Sequence, residues 1–348
     1  MLTKDAPVQL KDQVVIAGGP RGRHRAWPAL EMASNGDLLV VYAESDDHHH
    51  TNDGALMLAR SIDGGRTWPF SKAVAAEPGW DLYTNHGMTR LTDGTLLLHV
   101  ARGRREEASN AFYARGSFTR STDNGHIWEV SGPQLDYPFV SRTGRAFSYG
   151  RVAELPGEKL MVPFYGEPRY SEDPRCRVVA VAFSDDGGHS WPDYAIIHED
   201  RTAQIGPSEA DILRVSDGRW LMVVRANIPG LLYQSYSSDE GRTWSAIKPT
   251  ELPGNCPALI ALASGDILCA YRDVTPEQPG MSCAVSRDLG QTWAPLGHLY
   301  RGENRDCAYP SMLHLDSEQI FCAFYTARDA ETGGCEIHGL FLLDRTAG

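Results

Sequence analysis

The chain has 348 residues, 42% of them hydrophobic, and carries a formal net charge of −12 at pH 7. An acidic protein repels nucleic acids and anionic membranes, so neither is expected as a partner, although a few arginines can still focus positive charge around an anionic sugar. No apolar run reaches the length of about 20 residues that a membrane-spanning helix needs.

The start of the chain and its cysteines bear on the cellular compartment. The N-terminal segment that begins at Met1 has no apolar signal core, which predicts a cytoplasmic protein, although a secreted protein whose signal had been removed would have the same sequence. The seven cysteines are scattered and odd in number, which favours a reducing compartment over a disulfide framework. No linker or charge block divides residues 1–348, so a single domain is predicted, and the sequence leaves the oligomeric state open.

Six hairpin patterns follow one another along the chain. Each consists of an apolar strand, a tight turn that carries Gly, Asp or Ser, and a second apolar strand. They lie at Leu30–Tyr42, Leu91–Leu98, Leu155–Pro163, Val215–Val224, Leu262–Tyr271 and Leu315–Tyr325. Because no helical period is sustained, the repeat predicts an all-β fold, a six-bladed β-propeller of four-stranded blades around a central channel. A strand near Gln13–Ala17 is predicted to pair with Glu336–Leu343 and to cover the edge of the last blade.

A second repeat is interleaved with the hairpins. Its eight residues follow the pattern S-x-D-x-G-x-[T/S/I]-W, in which Ser and Asp bond the turn backbone, Gly supplies a positive φ and Trp packs on the sheet. The five copies are Ser61–Trp68, Ser121–Trp128, Ser184–Trp191, Ser237–Trp244 and Ser286–Trp293. The phrase is the Asp-box, and with it the chain resembles the sialidase (neuraminidase) superfamily of BNR-repeat propellers. Asp-boxes also occur in propellers without catalysis, so the function depends on the residues of the channel.

The ends of the inner strands supply candidate site residues, because a propeller presents them at one mouth of its channel. Those at the strand entrances are Arg25, Asn85, His86, Arg151, Glu209, Asn255, Asp306 and Tyr309. Those at the exits of the following strands are Glu44, Asp46, Arg102, Glu167, Arg225, Arg272, Asp273, Arg328 and Asp329. Ordinary loop ends would not gather this many arginines and carboxylates, which favours a functional site at this mouth.

Two segments resemble the sialidase site closely. Ser208–Arg225 is similar to the family segment in which a glutamate begins an inner strand and an arginine ends its neighbour, which implies that Glu209 is the general base and that Arg225 binds the substrate carboxylate. Ala308–Asp316 is similar to the segment that carries the nucleophile, which implies that role for Tyr309. A neutral phenol suits attack beside the acid group of a sialic acid, where a carboxylate nucleophile would be repelled.

The remaining arginines match the family less closely. Family members begin blade one with Arg-Ile-Pro, whereas this chain has His24-Arg-Ala-Trp-Pro28, so that the arginine lies one residue farther from the proline. The resemblance implies Arg25 as a further ligand of the substrate carboxylate. The third family arginine has no counterpart in Pro276–Cys283, so Arg272, at the end of the preceding strand, is its only nearby substitute, and Arg151 is an alternative ligand. Because Arg–carboxylate geometry is demanding, the displaced arginine also allows a different acid group.

The acid/base residue is expected in the loop from Glu44 to Ala55. The resemblance favours Asp53, which directly precedes the next strand, and the loop also offers Asp46 and Asp47. Among the histidines, His48, His50 or His86 could donate a proton near neutral pH. Three adjacent imidazoles such as those of His48–His50 seldom converge on one ion, so neither a metal site nor a cofactor is predicted.

Three functions fit these observations. The first is a retaining, sialidase-like exo-glycosidase that removes a terminal, acidic sugar with a Tyr/Glu pair and an Asp acid/base. The second is a glycosidase on the same propeller that acts on a different sugar, such as a uronic or deoxy sugar. The third is a non-catalytic propeller that binds glycans or proteins.

Overall fold

The structure is a computed structural model, and the residues it describes are 1–19, 23–48, 51–84, 87–106, 108–109, 112–129, 146–168, 171, 173, 175–327 and 334–347. Their regular structure consists of twenty-five strands in six antiparallel sheets, without a helix in any of these ranges. The predicted fold class, an all-β six-bladed propeller, is therefore confirmed. Within the same ranges there is no helix long and apolar enough to cross a membrane.

The strands are numbered in chain order, and each sheet forms one blade. The first blade contains β2 (His24–Met32), β3 (Leu38–Ser45), β4 (Ala55–Ser61) and β5 (Phe70–Ala76). The second contains β6 (Asp81–Tyr83), β7 (Met88–Arg90), β8 (Leu96–Arg105) and β9 (Phe112–Ser121). The third contains β10 (Ala146–Ser148), β11 (Ala153–Leu155), β12 (Lys159–Gly166), β13 (Arg177–Ser184) and β14 (Asp193–Asp200). The fourth contains β15 (Pro207–Arg214), β16 (Trp220–Ala226), β17 (Leu232–Ser237) and β18 (Lys248–Pro249). The fifth contains β19 (Gly254–Ala261), β20 (Ile267–Asp273), β21 (Gly280–Ser286) and β22 (Ala294–Arg301). The sixth combines β23 (Cys307–His314), β24 (Gln319–Ala327) and β25 (Cys335–Asp344) with β1 (Val8–Ala17).

The first strand of the chain completes the last blade. β1 pairs antiparallel with β25, with Val14 opposite Gly339, and the order of this sheet is β1-β25-β24-β23. The two ends of the chain therefore share one sheet, and the outer edge of β25 is covered.

The Asp-box turns have the hydrogen bonds that their composition predicts. In the first box the Gly65 amide donates to Ser61 Oγ at 2.9 Å, and the Thr67 amide donates to Asp63 Oδ1 at 2.9 Å. The other four boxes repeat both bonds with the same spacing. Because these bonds join residues four apart, the turn forms from local sequence alone.

The tryptophans of the boxes connect neighbouring blades. Trp68 stacks on Phe321 of the sixth blade with ring centroids 5.9 Å apart, and Trp191 lies 5.1 Å from Phe118 of the second blade. Gly241 shows how closely two blades approach, since a Cβ added there would lie 2.2 Å from Met161 Sδ. The boxes thus act both as turns within a blade and as contacts between blades.

Candidate functional site

The inner strands are irregular at one level of the channel. The sequence predicts one continuous inner strand in each blade. Blades two and three instead each have two short inner strands, β6 with β7 and β10 with β11. In the other four blades the register shifts between Ala26 and Ala29, Pro207 and Ala210, Asn255 and Ala258, and Ala308 and Ser311. Bulges of this kind leave residues unpaired and re-aim their side chains, and they occur often beside active sites.

Three of the bulged residues adopt the same backbone conformation. Trp27, Cys256 and Tyr309 have φ values of 54°, 54° and 51°, a left-handed region that is unfavourable for bulky residues. Each is followed by a proline, which has no amide hydrogen to donate to the neighbouring strand. The Tyr309 ring contacts Tyr149 of the third blade and Arg272 of the fifth, as well as Tyr325 of its own partner strand β24.

Tyr309, Glu209 and Arg225 form the central group. The Tyr309 hydroxyl donates to Glu209 Oε1 at 2.5 Å, and Arg225 Nη1 donates to Glu209 Oε2 at 2.8 Å. Tyr309 and Glu209 lie 100 residues apart in the chain, and their exposed fractions are 8% and 7%. The structure thus brings together the predicted nucleophile, the predicted base and one predicted carboxylate ligand.

Burial and charge act in opposite directions on Glu209. Burial raises the pKa of its carboxyl group, whereas the charge of Arg225 and the hydrogen bonds from Tyr309 and Arg225 lower it, and the resulting pKa lies below its usual range. Burial, together with the nearby Cys256 and Glu209, raises the pKa of Tyr309 well above its usual value. The pair therefore consists of an ionised carboxylate and a protonated phenol, the state from which Glu209 can accept the phenolic proton.

Arg272 lies on the other side of Tyr309. Its guanidinium carbon is 4.8 Å from the centre of the Tyr309 ring, a cation–π contact. Its Nε donates to the Cys307 carbonyl and its Nη2 to the Tyr325 hydroxyl, both at 2.7 Å. These bonds hold the arginine against the ring, so the structure places Arg272 in direct contact with the predicted nucleophile.

Asp306 connects this group to the mouth of the channel. Its Oδ1 accepts hydrogen bonds from the Tyr325 hydroxyl at 2.8 Å and from His48 Nδ1 at 2.9 Å, and its Oδ2 lies 3.0 Å from His24 Nε2. Burial raises the pKa of Asp306, but the bonds to His24 and His48 outweigh it, and the pKa lies far below its usual value. An aromatic ring packs against this cluster, since the Trp27 ring lies 5.4 Å from His48 and 5.5 Å from His24.

Two other predicted carboxylate ligands have partners elsewhere. Arg25 Nε donates to Glu44 Oε2 at 2.6 Å, and this ion pair joins β2 to β3. Arg151 Nη2 donates to the carbonyl of Met312. The one-residue displacement of Arg25 from the family pattern thus has a structural consequence, because Ala26 and the bulged Trp27 lie between it and the proline.

The predicted acid/base residues lie on the loop before β4. Asp46 is exposed and paired with Arg23, whereas Asp53 is exposed and its carboxylate accepts a hydrogen bond from the neutral Thr51 hydroxyl. His48 lies on the same loop and contacts Asp306. The predicted candidates that fall outside the described residues are Asn85, His86, His50, Arg328 and Asp329.

Comparison with known proteins defines the family. The profile described as "BNR repeat-like domain" matches residues 83–322, more than half of the chain. The chain belongs to the BNR repeat-like domain family. Among sequence relatives of this BNR-repeat chain is a sialidase from Bacteroides fragilis (strain YCH46), 22% identical over 337 residues that cover 84% of this chain and 58% of the relative. The chain thus spans less than two thirds of the length of that sialidase.

Solved structures share the fold of this BNR-repeat chain at low sequence identity. A protein of unknown function from Dyadobacter fermentans DSM 18053 has a TM-score of 0.85 at 19% identity and covers 97% of this chain and 99% of its own. The Hadza microbial sialidase Hz136 has a TM-score of 0.68 at 17% identity, with coverages of 91% and 65%. An alpha-L-arabinanase from Penicillium chrysogenum, complexed with arabinobiose, has a TM-score of 0.66 at 15% identity, with coverages of 95% and 98%.

His24, Trp27 and Tyr325 of this BNR-repeat chain are neighbours of the site that the sequence does not predict. A signal for Trp27 exists in the sequence, because Trp27-Pro28, Cys256-Pro257 and Tyr309-Pro310 repeat an X-Pro pair at the same point of three inner strands. His24 and Tyr325 have no comparable signal, since each is an isolated residue of an ordinary strand.

Proposed function

We propose that this protein is a retaining exo-glycosidase of the sialidase type, which removes a terminal acidic sugar. The observation that carries the proposal is the 2.5 Å hydrogen bond from the Tyr309 hydroxyl to Glu209. A buried phenol bonded to an ionised carboxylate is a nucleophile with its base already in place. The similarity to the Bacteroides fragilis sialidase and the arginines around the pair support the same reaction class.

In the first step Tyr309 Oη bonds to the anomeric carbon while the bond from that carbon to the leaving oxygen breaks. Glu209 accepts the phenolic proton, and we assign Asp53 as the acid that protonates the leaving oxygen. In the second step water attacks the same carbon, Asp53 accepts a proton from the water, and Glu209 returns its proton to Tyr309 as the glycosyl–tyrosine bond breaks. Two displacements at one carbon give overall retention of configuration.

Arg225 and Arg272 supply the positive charge for an acidic substrate. Arg225 is bonded to Glu209 within the central group, and Arg272 contacts that group through the Tyr309 ring. Arg25, the third arginine that the sialidase resemblance implies, is held by Glu44. This difference favours a second candidate function, a glycosidase for a uronic or deoxy sugar that uses the same Tyr309–Glu209 pair.

The test is turnover of methylumbelliferyl glycosides by the wild type and by Tyr309→Phe and Glu209→Gln, on one sialoside and on a panel of uronic and deoxy-sugar glycosides. We expect hydrolysis of at least one glycoside, and a fall in kcat of at least about 1000-fold in both variants. Tyr194→Phe, which removes a hydroxyl from the outer strand β14, is the matched control and should leave kcat unchanged.

The substrate that reacts distinguishes the two candidates. Turnover of the sialoside supports the first, and turnover of a uronic or deoxy-sugar glycoside alone supports the second. A fluorinated glycosyl fluoride of the preferred sugar should label Tyr309, as measured by peptide mass spectrometry. Folded wild-type protein that hydrolyses none of the panel would overturn both and leave a binding propeller.

A further inference from the structure

The mouth of the channel brings together three metal-ligating side chains. His24 Nε2 and His48 Nδ1 lie 3.2 Å apart, and Asp306 is 3.0 Å from the first through Oδ2 and 2.9 Å from the second through Oδ1. His24 and Asp306 are 282 residues apart in the chain, so the group exists only because the sixth blade packs beside the first. This group contains His48, the first of the three adjacent histidines His48–His50, and its other two members come from elsewhere in the chain.

The spacing of the two imidazole nitrogens matches that of zinc ligands. In a tetrahedral site with donor atoms about 2.0–2.1 Å from zinc, neighbouring donor atoms lie about 3.3 Å apart. The two histidine nitrogens lie 3.2 Å apart, close to this value, and the Asp306 carboxylate faces each of them with a different oxygen, Oδ1 at 2.9 Å from His48 and Oδ2 at 3.0 Å from His24. Two imidazoles with one carboxylate favour zinc and similar transition ions, whereas calcium and magnesium prefer oxygen ligands alone.

Proton placement also favours a cation at this point. A carboxylate only accepts hydrogen bonds, so both imidazole nitrogens must carry a proton to bond Asp306, and two N–H groups then lie side by side at 3.2 Å. If one nitrogen is unprotonated, it can accept a hydrogen bond from the other imidazole at 3.2 Å, but its lone pair then also faces the carboxylate. A cation that accepts both lone pairs and the carboxylate removes this conflict. We therefore propose that His24, His48 and Asp306 form a binding site for a divalent transition ion of the zinc type.

The surroundings suit a site with an open position. The His24 side chain is buried, whereas the side chains of His48 and Asp306 are 42% and 28% exposed, so an ion can enter from the mouth and keep one position for water or an oxygen of a ligand. The Tyr325 hydroxyl and the Cys335 thiol both contact the Asp306 carboxylate and orient it. Through Tyr325, which accepts a hydrogen bond from Arg272, the site is connected to the central group.

Metal content tests the proposal without reference to turnover. The full chain without an affinity tag is stripped with a chelator, loaded with Zn²⁺, dialysed and analysed by plasma mass spectrometry, and Co²⁺ is bound in parallel. We expect one zinc ion per chain and the visible absorption of tetrahedral Co²⁺ bound by nitrogen and oxygen. His48→Gln should lower the zinc affinity more than about 100-fold, since changes in outer-shell partners alone cost 10–100-fold.

Two further variants make the result specific. His24→Gln should have the same effect as His48→Gln, and because His24 is buried, its fold is checked by circular dichroism. His126→Gln, which removes an exposed imidazole in the second Asp-box, should bind zinc like the wild type. The proposal is overturned if the loaded wild type holds no zinc, if His48→Gln binds zinc as tightly as the wild type, or if His126→Gln loses affinity to the same extent.

Discussion

Replacing Arg225 by methionine tests the electrostatic balance of the central group. Arg225 Nη1 lies 2.8 Å from Glu209 Oε2, and Glu209 is 7% exposed. Methionine keeps the length and the apolar stem of the side chain but leaves the buried carboxylate without its ionic partner. We expect the free energy of unfolding at pH 7 to fall by about 3–5 kcal/mol, the usual cost of stranding one charge of a buried pair.

The pH dependence gives the sharper signature. In the wild type the pKa of Glu209 is below its unfolded value of about 4.3, so the pair adds stability above that pH and loses it as the pH falls through the folded pKa. In Arg225→Met burial is still opposed by the Tyr309 hydrogen bond and the charge of Arg272 but no longer by Arg225, the largest opposing contribution, and we expect the folded pKa to rise above the unfolded one. The variant then loses stability as the pH rises through that raised pKa. The difference between the two proteins should therefore grow from pH 4 to pH 7.

Urea unfolding followed by tryptophan fluorescence at pH 4, 5.5 and 7 measures this difference. The matched control is Arg175→Met, which breaks an exposed pair whose Nη2 lies 2.8 Å from Asp173 Oδ2 and should change the stability little, because solvent screens exposed pairs. Adding Glu209→Leu to Arg225→Met should restore most of the lost stability, because the stranded charge is removed. A loss that does not change with pH, or one no larger than that of the control, refutes the reasoning.

Two further predictions concern the scaffold. The pKa of Asp200 is lowered to about 2 because hydrogen bonds from the amides of Gln204, Ile205 and Gly206 outweigh burial. We therefore expect Asp200→Asn to be less stable than the wild type by about 1–3 kcal/mol at neutral pH. That difference should shrink as the pH falls from 4 toward 2, and a constant difference in urea unfolding would contradict it. Gly218 and Gly241 have φ values of 89° and 82°, but an added Cβ meets nothing within 4 Å at Gly218 and lies 2.2 Å from Met161 Sδ at Gly241. Gly218→Ala should lower the free energy of unfolding by about 1–2 kcal/mol because of backbone strain. Gly241→Ala should lower it by about 1–3 kcal/mol more, because the added methyl group overpacks the contact between blades. Equal losses in the same assay would rule out that contact as the cause.

The sequence by itself determines the blades. The Asp-box bonds join residues four apart, such as Ser61 and Gly65, and the hairpins follow from turn residues between two apolar strands. Because this chemistry is local, five copies of the phrase predict the architecture before any tertiary contact is known. The pairing of Glu209 with Tyr309 was also predictable, since each begins an inner strand of its blade and the resemblance names both.

Only the tertiary structure decides which side chains of different blades meet. Arg25 and Trp27 differ by two positions, yet the bulge between Ala26 and Ala29 places Trp27 over the histidines and leaves Arg25 with Glu44. A strand alternates its two faces residue by residue, so a one-residue displacement or a bulge changes the surroundings of a side chain without a trace in local propensity. The contact of His24 with Asp306 spans 282 residues and depends on how the first and sixth blades pack, which no local pattern records.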